Sequence, residues 1–97
     1  MAEKEGVVND QTAMAELISL PEIGPVSARQ LIAVGITSAD ELRAVGAKEA
    51  LLRIRAECDP GACLNMLMGL EAATRGVRAS ALDPAVKADL RDWFRTL

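Results

Sequence analysis

Displacing the 97-residue chain against itself by 22 positions brings Leu20 onto Leu42, Ile23 onto Val45, Gly24 onto Gly46, Ala28 onto Ala50 and Ile32 onto Ile54. The shared pattern is LxxhGxxxAxxxI, with h an aliphatic residue. The glycine at its centre predicts that one helix ends, that the backbone turns where a side chain would crowd, and that a second helix begins at once with a small residue facing its partner. Two copies in tandem predict two successive helical hairpins.

Gly and Pro cut the remaining chain into helices that agree with this frame. MAEKEGVVND has no helical period, so residues 1–11 read as a flexible leader and residues 12–97 as one domain. Residues 12–19 set Ala15, Leu17, Ile18 and Leu20 near one side, and Pro21, which disfavours helical geometry at Leu20, halts that helix. A second helix runs from Pro25 to Val34 and stops at Gly35. Ser38 with Glu41 three residues on reads as a capping box opening a short helix to Ala44 or Val45. Residues 47–57 carry Ala47, Ala50, Leu51 and Ile54 inward, with Glu49 and Arg53 paired on the outside. After the CDPGA turn, a helix over residues 62–75 is apolar around most of its circumference, with Leu64, Met66, Leu67, Met68 and Leu70, which predicts the buried centre of the domain. Gly76 stops it, and Asp83 with Pro84 opens a last helix carrying Val86, Leu90, Trp93, Phe94 and Leu97. The expected class is all-α, a small domain of five to six helices.

Composition supports that class and removes several functions. Hydrophobic residues make up 51% of the chain, Leu and Ala dominate, and Trp93 and Phe94 are the only aromatics, which favours helix over strand and is enough for one core. The net charge is -3, with one Lys against four acids in residues 1–21 and ten of each sign thereafter. A neutral domain lowers the expectation of a protein that coats nucleic acid, and any phosphate contact has to come from a small patch. Histidine is absent and Cys58 and Cys63 are the only cysteines, so no closed metal site is expected and two free thiols in a reducing compartment are. Without a signal peptide or a membrane-length apolar run, the expected location is the cytoplasm, with no membrane contact. Nothing in the sequence pairs a nucleophile with a base or forms a phosphate-binding loop, so no catalysis and no cofactor are expected, and Asp40, Glu41 and Glu49 read as helix-surface acids.

The segment LPEIGPVSARQLIAVGI resembles the first hairpin of a tandem helix-hairpin-helix domain, of the SAM-like type, a fold often used to grip DNA without reading its sequence. The run through LRAVGAKEALLRIRAE and CLNMLMGLEAATRGV to the closing helix is similar, over residues 15–95, to the C-terminal domain of the TfoX/Sxy family, bacterial regulators of competence. Longer members carry another domain ahead of this one, for which 97 residues leave no room. The resemblance implies a non-catalytic interaction module that contacts a protein partner within a transcription or competence assembly.

Two other readings stay open. In helix-hairpin-helix domains that bind DNA, amides at the glycine turn and the start of the following helix face a phosphate, helped by a nearby cation. Here Glu22 stands where a glycine is typical and Val26 where a lysine is common, whereas the second copy has Ala44 and Lys48 at those places. The candidate grip on duplex DNA is therefore Gly46, Ala47 and Lys48, with Arg53 and Arg55 adding charge and Gly24 as the first hairpin's counterpart. Arg29 is a further candidate for such a patch. Against this, a tight turn accounts for either glycine alone, solvated helix faces account for the cations, and core filling accounts for Met66 and Met68. The third reading is a self-associating domain that completes its core as a homodimer.

Overall fold

A computed structural model describes residues 10–97, and every regular element in them is helical. In chain order these are α1 (Asp10–Ile18), α2 (Pro25–Ala33), α3 (Ala39–Val45), α4 (Ala47–Glu57), α5 (Leu64–Arg75), a short 3-10 turn (Ala79–Ala81) and α6 (Pro84–Phe94). The leader falls outside the described residues except for Asp10 and Gln11, which already belong to α1. No helix among the described residues is long and apolar enough to cross a membrane.

The elements pack as successive pairs, α1 on α2 and α3 on α4, with α2 also meeting α4. α5 touches α3, α4, the 3-10 turn and α6, so it occupies the centre that its all-round apolar sequence predicts. Leu67, Leu70, Ala72 and Ala73 are buried along it, opposite Leu42, Leu51 and Ile54 in one continuous core. Met66 and Met68 are half-buried against that core, as are Trp93 and Phe94 at the end of α6. The central helix also carries a buried glycine. A Cβ at Gly69 would stand 3.5 Å from Glu22 Cβ, ordinary van der Waals contact. Gly69→Ala is therefore expected to raise stability by about 0.5–1 kcal/mol, the helix-interior advantage of Ala, in chemical denaturation.

The helix ends follow the expected signals with two informative differences. Ser38 Oγ accepts the Glu41 N–H at 3.0 Å, as in a capping box, but the Glu41 carboxylate reaches one residue further back, to the Thr37 N–H at 2.7 Å and hydroxyl at 2.8 Å. These two donors hold the Glu41 carboxyl below the ordinary value of 4.5, the backbone N–H of Thr37 contributing most. The cap's contribution is thus complete above pH 4.5 and is lost as the pH falls through the lowered folded-state value. Carbon-detected NMR titration is expected to show Glu41 titrating below an unperturbed glutamate, and Glu41→Gln to remove that part of the acid sensitivity. A second acid joins the pairs, because Glu16 of α1 accepts the Ala39 N–H of α3 at 2.9 Å.

The other difference lies in the repeat. Its two glycines are not conformational equivalents. Gly46 alone separates α3 from α4, with φ 87° and ψ 157°, donating to Leu42 O at 2.8 Å and accepting from Ala50 N at 3.0 Å. Gly24 instead ends a six-residue connection, residues 19–24, with an extended φ of -95°. No heavy atom lies within 4 Å of a Cβ built on either, so the expected crowding is absent at both, and torsion alone requires glycine at position 46. In the first connection the positive φ falls on Glu22, at 69°. Its carboxylate accepts the Ala79 N–H at 2.9 Å and stands 4.0 Å from the Arg78 guanidinium, tying the first pair of helices to the segment before α6.

Candidate functional site

Gly46, Ala47 and Lys48 come together at the start of α4, in a concavity of about 720 Å³ between α4, α5 and α6. Val45, Leu52, Val86 and Trp93 supply apolar lining, and Glu71 and Arg75 of α5 also line it. Leu52 is 40% exposed there, whereas Leu51 and Ile54 of the same helix are buried. No side chain caps the first turn of α4, so its amides have no side-chain acceptor.

Lys48 is engaged within the molecule. Its ammonium is 3.2 Å from Asp89 Oδ2 and 5.6 Å from the centre of the Trp93 ring, both on α6. The pair is substantially exposed, so its worth is about 0–1 kcal/mol, with a cation–π contribution of similar size. Chemically, Asp89 neutralises the charge offered to an anion and would itself repel a phosphate drawn to the amides of α4.

The remaining predicted residues lie elsewhere. Arg53 pairs with Glu49 at 3.1 Å on the outer surface of α4. Arg55 donates to the Ala62 carbonyl at 3.2 Å and sits 5.4 Å from the centre of the Phe94 ring. Gly24 borders a second concavity with Glu22, Gly76 and Arg78. Arg29 lines a shallow groove with Met14, Ile32 and Ala33 of the first helical pair. The structure thus gathers the second-copy triad and disperses Arg29, Arg53 and Arg55 over different surfaces.

Sequence reasoning missed the α6 half of the site, Val86, Asp89 and Trp93. The available signal was a match of spacings: Lys48, Leu52 and Arg55 follow the i, i+4, i+7 rule on α4, and Asp89 and Trp93 are four apart on α6. Lys48 and Arg55 each lie over one of the two aromatics in the chain, which fixes α6 across α4. Cys58 and Cys63, at the two ends of the turn joining α4 to α5, are exposed and unbridged. Among the described residues no three His, Cys, Asp or Glu side chains cluster as metal ligands.

Comparison with known proteins places this architecture. Two solved structures from Listeria monocytogenes are similar to it, one of an uncharacterized protein and the other of a protein of unknown function. The first is 41% identical with a TM-score of 0.80, covering 82% of this chain and 90% of its own. The second is 40% identical with a TM-score of 0.77, covering 86% of this chain and 96% of its own. No curated protein sequence matches. The family model of the TfoX C-terminal domain matches residues 13–94, nearly the whole described fold, and the chain belongs to the TfoX C-terminal domain family.

Proposed function

We propose that this chain is a non-catalytic interaction module of a cytoplasmic regulatory assembly, and that it docks a protein partner in the concavity between α4 and α6. The observation that carries this reading is the lining itself: Leu52, Val86 and Trp93 give it apolar surface, and charges beside them are already paired, Lys48 with Asp89 and Arg75 with Glu71 at 2.7 Å. Apolar lining with an aromatic anchor and satisfied charges suits a protein contact, whereas a phosphate grip needs cations that are free to act. Membership in the TfoX C-terminal domain family supports a role in the control of competence or transcription.

The uncapped start of α4 supports a second reading, non-sequence-specific binding of duplex DNA at Gly46, Ala47 and Lys48. One experiment separates the two. Affinity capture from native lysate with the unmodified chain and with Leu52→Glu, quantified by mass spectrometry, is run beside titration of a fluorescent duplex at low and physiological salt. The protein reading expects specific partners whose recovery falls with Leu52→Glu, and no duplex binding at micromolar concentration. Capture indifferent to Leu52→Glu, together with duplex binding that weakens with salt and with Lys48→Glu, overturns it in favour of DNA.

A further inference from the structure

Of the eleven lysines and arginines, all but Lys4 fall within the described residues. Six of these ten stand within 4.0 Å of a carboxylate: Arg43, Lys48, Arg53, Arg75, Arg78 and Arg95. The four with no carboxylate partner among the described residues are Arg29, Arg55, Lys87 and Arg91, and three of them gather on one flank of α6. Lys87 and Arg91 are one helical turn apart on that flank, and Phe94 follows on the same side. The guanidinium of Arg55 reaches it from α4, held over the Phe94 ring and by the Ala62 carbonyl. Arg95 prolongs the row by another turn, its charge shared with Asp92 at 3.1 Å.

The nearby acids are turned elsewhere: Asp89 meets Lys48 on the opposite flank, and Asp83 accepts the Ala85 N–H at the start of the helix. In a chain of net charge -3, this concentration of uncompensated cations is a local exception. We propose that this flank of α6 binds an acidic segment of a protein partner, one that presents carboxylates a helical turn apart. The inference rests on the protein-partner reading above and gives that partner a chemical class.

Three features set the class. The row from Lys87 to Arg95 spans nine residues, about 12 Å of helix, the length of a short peptide contact. A duplex would extend past it and bring its phosphates against Asp83 at the start of α6, whereas a peptide confined to the row stops short of that carboxylate. The Arg55 fork is already oriented by Phe94 and Ala62, so a carboxylate gains charge-assisted hydrogen bonds at little cost in side-chain ordering.

The test is fluorescence anisotropy with a labelled helical peptide carrying glutamate at every fourth position, beside its glutamine counterpart and a short labelled duplex. The glutamate peptide is expected to bind at low salt and the glutamine peptide not. Lys87→Glu/Arg91→Glu, at a half-buried and an exposed position of α6 and with the fold checked by circular dichroism, should weaken binding by at least about tenfold, some 1.4 kcal/mol. Arg29→Glu, which reverses an equally unpaired cation away from α6, should leave it within about twofold. Absence of glutamate-peptide binding overturns the inference, as does equal weakening by Arg29→Glu. Tighter binding of the duplex, lost in the same double variant, also overturns it and assigns the flank to nucleic acid. Because Leu52→Glu capture reads the concavity and this titration reads α6, loss of one result with the other intact shows which of the two proposals has failed.

Discussion

Gly46→Ala is expected to destabilise the domain by about 1–3 kcal/mol, although no neighbouring atom would touch the added methyl group. At φ 87° and ψ 157° the residue occupies a region of backbone space that L side chains scarcely enter. The turn cannot relax cheaply, because the same residue closes α3 through its N–H and opens α4 through its carbonyl. Shifting φ to a negative value would break one of these bonds or swing α4 away from α5. Gly24→Ala is the control within the same repeat. Its φ of -95° and ψ of -178° suit any residue that precedes a proline, and the methyl group again meets nothing. The two opposing effects at that position, a weaker N-cap and a stiffer unfolded chain, leave a net change of about 0.5 kcal/mol or less. Urea denaturation followed by the fluorescence of Trp93, the only tryptophan, reads both variants. Equal losses would mean that the two turns are alike after all and that the positive φ of Gly46 carries no special cost.

That contrast also marks where the sequence stops being informative. The helices were legible because their boundaries are written in local chemistry: Ser38 before Glu41, Gly35 and Gly76 after apolar runs, Asp83 before Pro84. Gly76, for example, closes α5 with φ 70° while Val77 donates back to Ala72 at 3.0 Å. The central position of α5 is equally legible from the apolar residues that surround most of its circumference. The apolar pattern starts α5 two residues early because Asp59, through its side chain and its carbonyl, draws Gly61 and Ala62 into the preceding turn. The 3-10 turn at Ala79–Ala81 has no periodic signature, and its first amide is held by Glu22, 57 residues away in sequence. The site divides in the same way. The triad Gly46, Ala47 and Lys48 is contiguous and was found. The commitment of Lys48 to Asp89, across 41 residues, depends on how α6 lies over α4 and was not. Equivalent letters in the repeat likewise concealed different backbones, since a pattern of side chains says nothing of which residue in a connection takes the positive φ.

Leu67→Ala should produce the larger loss, about 2–5 kcal/mol, out of a total that for a domain of this size is about 5–15 kcal/mol. Leu67 is wholly buried on the one helix that touches α3, α4, the 3-10 turn and α6, so its removal leaves a void that no single neighbour can fill without shifting another element. The consequence for function follows from the same contacts. α6 packs on α5 and reaches α4 through Lys48 and Arg55, so loosening the core beneath α5 changes the distance between the two walls of the concavity. Denaturation of Leu67→Ala followed in parallel by far-ultraviolet circular dichroism and by Trp93 emission tests both points. Coincident transitions at lower urea would show a single cooperative core weakened as a whole. A Trp93 transition that precedes the loss of helix would show α6 separating first, making the α4–α6 contact the least stable part of the domain and the one most readily adjusted by whatever binds there.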